Sequence, residues 1–177
     1  MRNVSRILPL LPGIAMLSGC NNAAQKSNGQ NDQKPNIIYI FADDLGIGDL
    51  SCYGATKVST PNIDRLAGQG VQFTNAYATS ATSTPSRFGL LTGMYPWRQK
   101  NTGIAPGNSE LIIDTACVTM ADMLKDAGYA TGAVGKWHLG LGPKGGTDFN
   151  KQITPNAQSI GFDYEFIIPA TVDRVPC

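Results

Sequence analysis

The segment Asn36–Phe41, in which Asn36 leads into a continuous run of apolar and β-branched residues, constrains the fold more than any other feature of this sequence. It lacks the alternation of apolar and polar residues that a half-exposed strand shows, and it therefore predicts a strand buried on both faces. Strands of this kind belong to parallel sheets that helices cover on both sides. Two adjacent carboxylates, Asp43 and Asp44, follow the run and fall at the predicted carboxyl end of the strand.

Helix and strand signals alternate along the rest of the chain. Three helices are predicted, because each stretch has Thr, Ser or Pro near its start and Gly at its end. They run over residues 60–70, 83–93 and 119–128, the last with a Thr-x-x-Asp capping box. Short strands are predicted over residues 71–77 and 130–134. This alternation predicts an α/β sandwich with a mainly parallel central sheet.

Residues 1–19 are interpreted as a lipoprotein signal peptide. Arg2 and Arg6 precede an apolar run that is too short to span a bilayer as a helix. The run ends in Leu-Ser-Gly before Cys20, which resembles the bacterial lipoprotein cleavage box, so Cys20 is predicted to carry the lipid. The alternative is an ordinary secretory signal that happens to contain a cysteine. Residues 20–35 are polar and predict a tether, and residues 36–177 form the folded part. The expected location is the bacterial cell envelope, at the outer membrane or the periplasmic face.

The charge balance argues against a nucleic-acid partner. The sequence has 14 Lys and Arg against 13 Asp and Glu, and without Arg2 and Arg6 the count is 12 basic against 13 acidic residues. No basic patch remains that would attract a polyanion. Three further cysteines, Cys52, Cys117 and Cys177, show neither a disulfide framework nor a metal-binding spacing, so they are predicted to be buried apolar side chains.

The Asp43-Asp44 pair is the first candidate site. Adjacent carboxylates repel each other, and keeping both ionised calls for a nearby cation or strong donors. Their hard oxygen atoms suit Ca²⁺ or Mg²⁺. The alternative is a loop in which one Asp caps a turn while the other is solvated.

The second candidate is the segment Ser83-Thr84-Pro85-Ser86-Arg87. A helix N-terminus presents free N–H donors and the positive end of the helix dipole to an anion. Arg87, one turn further on, would add a charge-assisted bond to a tetrahedral oxyanion, and Ser83 would take the nucleophile position. The alternative is that Ser83 or Thr84 only caps the helix and that Arg87 is solvated.

Lys136 and His138 form the third candidate. In an extended segment, residues two apart point to the same side, so a cation and the only imidazole of the sequence share one face. Lys136 would hold an oxygen of sulfate or phosphate, and His138 would donate or accept a proton. The alternative is a surface lysine beside a histidine that is hydrogen-bonded to backbone.

Taken together, these motifs resemble the type I sulfatases, the formylglycine-dependent members of the alkaline-phosphatase-like superfamily. The family signature is Cys or Ser, any residue, Pro-Ser-Arg, three residues and Leu-Thr-Gly, and residues 83–93 match it at every specified position. Residues 36–44, 60–64 and 135–140 match further family motifs in the family's order. The resemblance extends from Pro35 to the end of the sequence, and it favours the functional interpretation of each candidate site.

The resemblance implies that Ser83 is oxidised to formylglycine by a maturation enzyme before or during export. Ser in place of Cys is similar to the type matured by a radical enzyme. The aldehyde hydrate would then attack the sulfur of a sulfate ester. Asp43, Asp44 and residue 83 would bind a divalent cation, Ca²⁺ rather than Mg²⁺, which acts as a Lewis acid.

The resemblance also implies a role for each remaining candidate. Arg87 would position the hydrate and offset negative charge, Lys136 would hold a sulfate oxygen, and His138 would contact the hydrate and assist its breakdown. The substrate would be a sulfated small molecule or glycan.

The site of the family is incomplete in this sequence. A second Asp with an Asn or His partner, another His and a second Lys have no counterpart after His138. Residues 36–177 are therefore interpreted as the truncated N-terminal part of the catalytic domain, inactive by itself, with an incomplete sheet and an exposed apolar edge. Two alternatives stay open: a phosphate or phosphonate ester hydrolase of the same superfamily, and a non-catalytic lipoprotein that binds sulfated glycans.

Overall fold

The structure is a computed structural model that describes residues 34–171. The predicted signal peptide, the lipidated Cys20, most of the tether and Cys177 lie outside the described residues. The described residues divide into two units, with the boundary between Phe41 and Ala42. The described part of the first unit, residues 34–41, is exposed and has no assigned helix or strand.

The unit that begins at Ala42 contains, as described, three α-helices and two β-strands. Helix α1 spans Pro61–Gln69, α2 spans Ser83–Thr92 and α3 spans Met120–Asp126, while β1 spans Gly132–Lys136 and β2 spans Tyr164–Ile168. Short 3₁₀ turns occupy Ile47–Asp49, Ser51–Tyr53, Pro96–Arg98 and Ala157–Ile160. Between residues 34 and 171, no helix is both long enough and apolar enough to cross a membrane.

All three predicted helices are confirmed. Helix α3 begins with the predicted capping box: the Thr119 hydroxyl accepts from the Asp122 N–H at 3.2 Å, and the Asp122 carboxylate accepts from the Thr119 N–H at 2.9 Å. Helix α2 ends at Gly93, whose φ of +67° is accessible to glycine at little cost. Helix α1 follows Thr60 as predicted, although the Thr60 hydroxyl donates to the Asp64 side chain instead of capping the helix.

The strands β1 and β2 pair in parallel, in register from Gly132 opposite Tyr164 to Lys136 opposite Ile168. The predicted strand over 130–134 is thus confirmed with a shift of two residues, and the α/β class with a parallel sheet is confirmed as well. Within the described residues the sheet has two strands and is incomplete. Val134 and Phe166 face each other across the pair and are 75% and 72% exposed, as expected for an uncovered apolar surface.

Two predicted strands are wrong for the described structure. Residues 36–41 and 71–77 have no assigned strand, and Ile38 and Tyr77 are 85% and 88% exposed. A segment rich in apolar and β-branched residues has side chains that fit well on a pleated, half-buried sheet surface. A strand also needs a second backbone to receive its N–H and C=O groups, which the local sequence does not supply. The prediction that the cysteines are buried is also wrong for Cys52 and Cys117, which are half-buried free thiols.

One apolar core joins α2 to the segment after β1. Phe88 and Leu91 of α2 are buried beside Trp137 and Leu139, which directly follow β1. The other buried members of this core are Ile113, Leu141, Ala157 and Ile160. Burial of the Leu, Ile and Phe side chains of this core contributes about 1.5–3 kcal/mol each. The core therefore holds α2, through Phe88 and Leu91, against the segment that carries His138.

Candidate active site

Ser83 is the first residue of α2 and is half-buried. Its Oγ accepts a hydrogen bond from Nε of Arg87 at 3.0 Å, because residues four apart lie on the same face of a helix. The same Oγ lies 3.0 Å from Nδ1 of His138. The candidate nucleophile thus lies between a guanidinium and an imidazole.

The hydrogen bonds of His138 define which ring nitrogen carries the proton. The ring is 2% exposed, and its Nε2 lies 3.0 Å from the carbonyl oxygen of Ala105. A carbonyl oxygen only accepts, so Nε2 is the donor, and in a neutral ring Nδ1 is then the acceptor. This assignment follows from the hydrogen-bond network. In the neutral ring, Nδ1 is therefore placed to accept the proton of the Ser83 hydroxyl.

Arg87 connects Ser83 with two other elements. Its Nη1 donates to the carbonyl oxygen of Lys136 at 2.6 Å, and its Nη2 lies 3.6 Å from Oδ2 of Asp43. Burial lowers the pKa of the Arg87 guanidinium, and the negative charge of Asp43 opposes that shift. The ordinary pKa of arginine is so high that the group stays charged near neutral pH. Arg87 is therefore a fixed positive charge beside Ser83.

Lys136 and Asp43 form a close ion pair, with Nζ 2.5 Å from Oδ2. The hydrogen bond from Lys136 is the main reason that the pKa of Asp43 lies below its usual value, and the charges of Lys136, Arg87 and His138 add to the effect. Partial burial of the carboxyl works in the opposite direction. Asp43 is thus held ionised between two cationic side chains. The alternative of a solvated surface lysine does not describe Lys136.

Asp44 is exposed and has a left-handed backbone, with φ of +56°. It directly follows Asp43 in the sequence, but in the described structure its side chain is not part of the hydrogen-bond network around Ser83. Residues 34–171 contain no group of three or more His, Cys, Asp or Glu side chains arranged to hold a metal ion. The carboxylates of Asp43 and Asp44 fit a hard divalent cation in donor type, and by themselves they would supply only part of its coordination shell.

The structure therefore brings together Ser83, Arg87, Lys136, His138 and Asp43, while their chemical roles stay predictions. Two further contributors were missed by sequence reasoning. The sequence indicates Thr84 only as an alternative helix cap, and no pattern points to Ala105, which lies in an irregular loop. The Thr84 hydroxyl donates to the carbonyl oxygen of His138 at 2.8 Å and accepts from the Ala105 N–H at 3.0 Å.

A half-buried hydroxyl beside a guanidinium and an imidazole, on a parallel α/β framework, is an arrangement suited to attack on an oxyanion ester. The sulfatase family model matches residues 35–173, and the chain belongs to the sulfatase family. Its structural relatives have the alkaline-phosphatase-like fold. Sulfatases generally use a formylglycine and a divalent cation.

Among curated relatives, the N-acetylgalactosamine-6-O-sulfatase of Bacteroides thetaiotaomicron is 91% identical over 177 residues, which are 100% of this chain and 35% of that protein. Human arylsulfatase A is 45% identical over 147 residues, covering 81% of this chain and 27% of that protein. The chain thus spans between about a quarter and about a third of the length of these curated relatives.

Solved structures give the same family. One solved structure comes from work on the metabolism of multiple glycosaminoglycans by Bacteroides thetaiotaomicron. It matches with a TM-score of 0.80 and 95% identity, over 82% of this chain and 30% of that chain. The crystal structure of Ps i-CgsB in complex with k-i-k-neocarrahexaose matches with a TM-score of 0.63 and 37% identity, over 76% of this chain and 28% of that chain.

Proposed function

We propose that this chain forms the nucleophile-bearing part of a sulfuric ester hydrolase in which Ser83 is converted to formylglycine. The observation that carries the proposal is the position of Ser83 Oγ, 3.0 Å from both Arg87 Nε and His138 Nδ1. A plain serine hydroxyl is a weak nucleophile at its ordinary pKa. The hydrated aldehyde would supply two hydroxyls on one carbon, one to attack sulfur and one to drive the release of sulfate.

The surrounding side chains act on the oxygen atoms of residue 83. Nδ1 of His138 accepts the proton of a hydroxyl there, while the bond from Nε2 to Ala105 keeps the ring in place. Nε of Arg87 donates to the same oxygen and stabilises negative charge as it develops. The Lys136 ammonium, ion-paired with Asp43 beside this position, contacts a sulfate oxygen of the bound ester.

The same proposal places a divalent cation beside Asp43 and residue 83. Asp43, Asp44 and residue 83 would hold it, and Ca²⁺ suits carboxylate oxygens that are not arranged in a tight octahedron. A cation held there would supply Lewis-acid chemistry and would lower the free energy of an oxygen anion on residue 83. Mg²⁺ is the second candidate, because it also prefers oxygen ligands.

The proposed substrate is a glycan that carries 6-O-sulfated N-acetylgalactosamine. The support is the 91% identity to a relative that bears this activity in its name. A second structural relative was solved with a bound carrahexaose, so a chain of this fold accommodates an oligosaccharide. We also propose that a maturation enzyme oxidises Ser83, and that Cys20 carries a lipid that anchors the exported protein to the cell envelope.

A chimeric enzyme provides the decisive test. In it, this chain replaces the 177-residue stretch that it matches in the Bacteroides thetaiotaomicron relative. After coexpression with a serine-type maturation enzyme, the peptide that contains Ser83 is expected to lose about 2 Da, the mass of two hydrogens. The chimera should then release sulfate from 6-O-sulfated N-acetylgalactosamine. The matched control is Ser83→Ala, which should show neither the mass change nor turnover.

The alternatives give different results in the same assay. Faster hydrolysis of a phosphate or phosphonate ester than of the sulfate ester would favour the second enzyme class. Binding of the sulfated glycan without turnover, with Ser83 unmodified, would favour a non-catalytic lipoprotein. Either result would overturn the proposed function.

The proposed lipid anchor has its own test. Cells that express the chain are fed labelled palmitate, and label is expected in the chain with Cys20 and not in Cys20→Ala. Cys52→Ala is the matched control and should keep the label. Equal labelling of all three chains, or of none, would contradict the anchor without affecting the proposed catalytic role.

A further inference from the structure

We infer that Thr84, at the unspecified position of the Ser-x-Pro-Ser-Arg motif, is a positioning residue that sets the tautomer of the His138 ring. Thr84 touches no reacting group in the proposed reaction and acts through two backbone groups. That the ring accepts a proton from residue 83 rests on the proposed function. The tautomer itself is a property of this chain and is measurable without any reaction.

The Thr84 hydroxyl is fully buried and is used in both directions. It donates to the carbonyl oxygen of His138 at 2.8 Å and accepts from the N–H of Ala105 at 3.0 Å. The carbonyl oxygen of Ala105 in turn accepts from Nε2 of His138 at 3.0 Å. The three residues thus form a closed ring of hydrogen bonds. Fixing the N–H of Ala105 restricts the direction in which its carbonyl points, and this carbonyl decides which ring nitrogen is the donor.

The backbone of His138 needs this support. Its φ of +55° lies in the left-handed region, which a residue with a side chain seldom occupies unless its surroundings hold it there. The His138 N–H donates to the carbonyl oxygen of Pro169 at 2.9 Å, and Thr84 holds the carbonyl on the other side. The ring direction follows from this backbone conformation. Thr84 therefore controls both the carbonyl that faces Nε2 and the backbone from which the ring extends.

A purely structural role for Thr84 makes a different prediction. Val has nearly the shape of Thr but no hydroxyl, whereas Ser keeps the hydroxyl and loses a methyl group. If Thr84 only fills space, Val is the better replacement, and Ser leaves a small cavity. If Thr84 sets the tautomer, Ser preserves the His138 ring state and Val does not.

Because His138 is the only histidine of the sequence, labelling histidine with ¹⁵N gives a spectrum of this ring alone. The sample is the 177-residue chain with unmodified serine at position 83, at a pH about two units above the ordinary histidine pKa. The wild-type chain is expected to carry its ring proton on Nε2 and to show Nδ1 as an unprotonated acceptor. Thr84→Ser should give the same spectrum, and Thr84→Val should shift both nitrogen signals toward a mixture of the two tautomers.

Three results would overturn the inference: a wild-type proton on Nδ1, an unchanged spectrum in Thr84→Val, or a failure of both Thr84→Val and Thr84→Ala to fold while Thr84→Ser folds. The last result would assign Thr84 to the fold instead of the ring. In the chimeric enzyme, Thr84→Val is expected to lower kcat about tenfold, less than removal of a general base, and to leave KM nearly unchanged. Since the spectrum requires neither formylglycine nor turnover, failure of the proposed function leaves the NMR result interpretable.

Discussion

The Oγ of Ser83 lies 3.0 Å from Nδ1 of His138, although 55 positions of the chain separate the two residues. Ser83 begins α2, and His138 follows β1 after a single intervening residue, Trp137. The contact is possible because Phe88 of α2 and Trp137 are buried in the same core. Packing of α2 against this segment is thus a condition for the site to exist.

Replacement of Arg87 tests the charge beside the nucleophile. Arg87→Ala removes the donor to Ser83 Oγ and is expected to raise the barrier of the chimeric enzyme by about 3 kcal/mol, as loss of one oxyanion donor does. The measurement is kcat for hydrolysis of the sulfate ester. Arg98→Ala, at an exposed arginine, is the matched control and should leave kcat unchanged. Undiminished turnover in Arg87→Ala would exclude the assigned role.

Replacement of Asp43 tests the proposed cation site. Asp43→Asn replaces a carboxylate of the proposed cation site with a neutral amide, so calcium affinity and turnover of the chimeric enzyme should both fall. Isothermal titration with Ca²⁺ after chelator treatment measures the first effect. Asp126→Asn, at an exposed carboxylate of α3, serves as control. Equal calcium affinity in Asp43→Asn and the parent would remove Asp43 from the proposed ligands.

The Asp163 carboxylate predicts how stability depends on pH. The hydrogen bond from Lys125 is the largest cause, and the hydrogen bond from the Thr131 N–H is the next, of a decrease in its pKa from 3.8 to about 2. A carboxyl whose pKa is lower in the folded state stabilises the fold above the unfolded pKa and loses this contribution as the pH falls through the folded value. The urea midpoint of the chain should therefore fall between pH 4 and pH 2, the window set by 3.8 and about 2.

Asp163→Asn isolates this contribution, because an amide does not titrate. The variant should be less stable than the parent near neutral pH, and the difference should shrink as the medium becomes more acidic. Asp126→Asn, at an exposed carboxylate, should follow the parent at every pH. A stability difference that stays constant down to about pH 2 would argue against the linkage.

The capping box of α3 predicts a larger effect than an ordinary cap. Thr119 is 2% exposed, and its hydroxyl also donates to the carbonyl oxygen of Ile160 at 2.7 Å. Thr119→Ala should lower the free energy of unfolding by about 2 kcal/mol, since it removes a cap and leaves a buried carbonyl without this donor. Thr119→Ser keeps the hydroxyl and should lose much less. Similar urea midpoints for the two variants would show that the hydroxyl is not the stabilising group.

Gly140, the last residue of the motif at 135–140, has a steric role. Its φ is +70°, and a Cβ there would overlap the backbone carbonyl of Glu110. Gly140→Ala is expected to cost about 3 kcal/mol of stability, because both the backbone and the neighbouring carbonyl would have to move. A Cβ added at Gly103 would meet no atom of the described residues within 4 Å, so Gly103→Ala is the matched control. Equal stability of the two variants in urea unfolding would contradict this assignment.

The helices were predictable because their signals are local. The bonds of the Thr119 capping box join residues three apart, and the turn that closes α2 at Gly93 involves a residue four positions away. Such contacts form within one segment and therefore leave a pattern in the sequence. The strand predicted over 36–41 was wrong because its apolar residues indicate only that the side chains would suit a strand. A strand also requires a partner backbone from elsewhere in the chain.

The sequence by itself determined the α/β class, the helices and, through its motifs, the residues proposed to act on a sulfate ester. Only the tertiary structure decided that Asp43 pairs with Lys136 and that the Ala105 carbonyl bonds to the ring of His138. It also decided that Thr84 bonds to the backbone of both Ala105 and His138. These bonds join residues between 21 and 93 positions apart. Whether such groups meet depends on how α2 and the segment after β1 pack in the core, and no local pattern records that packing.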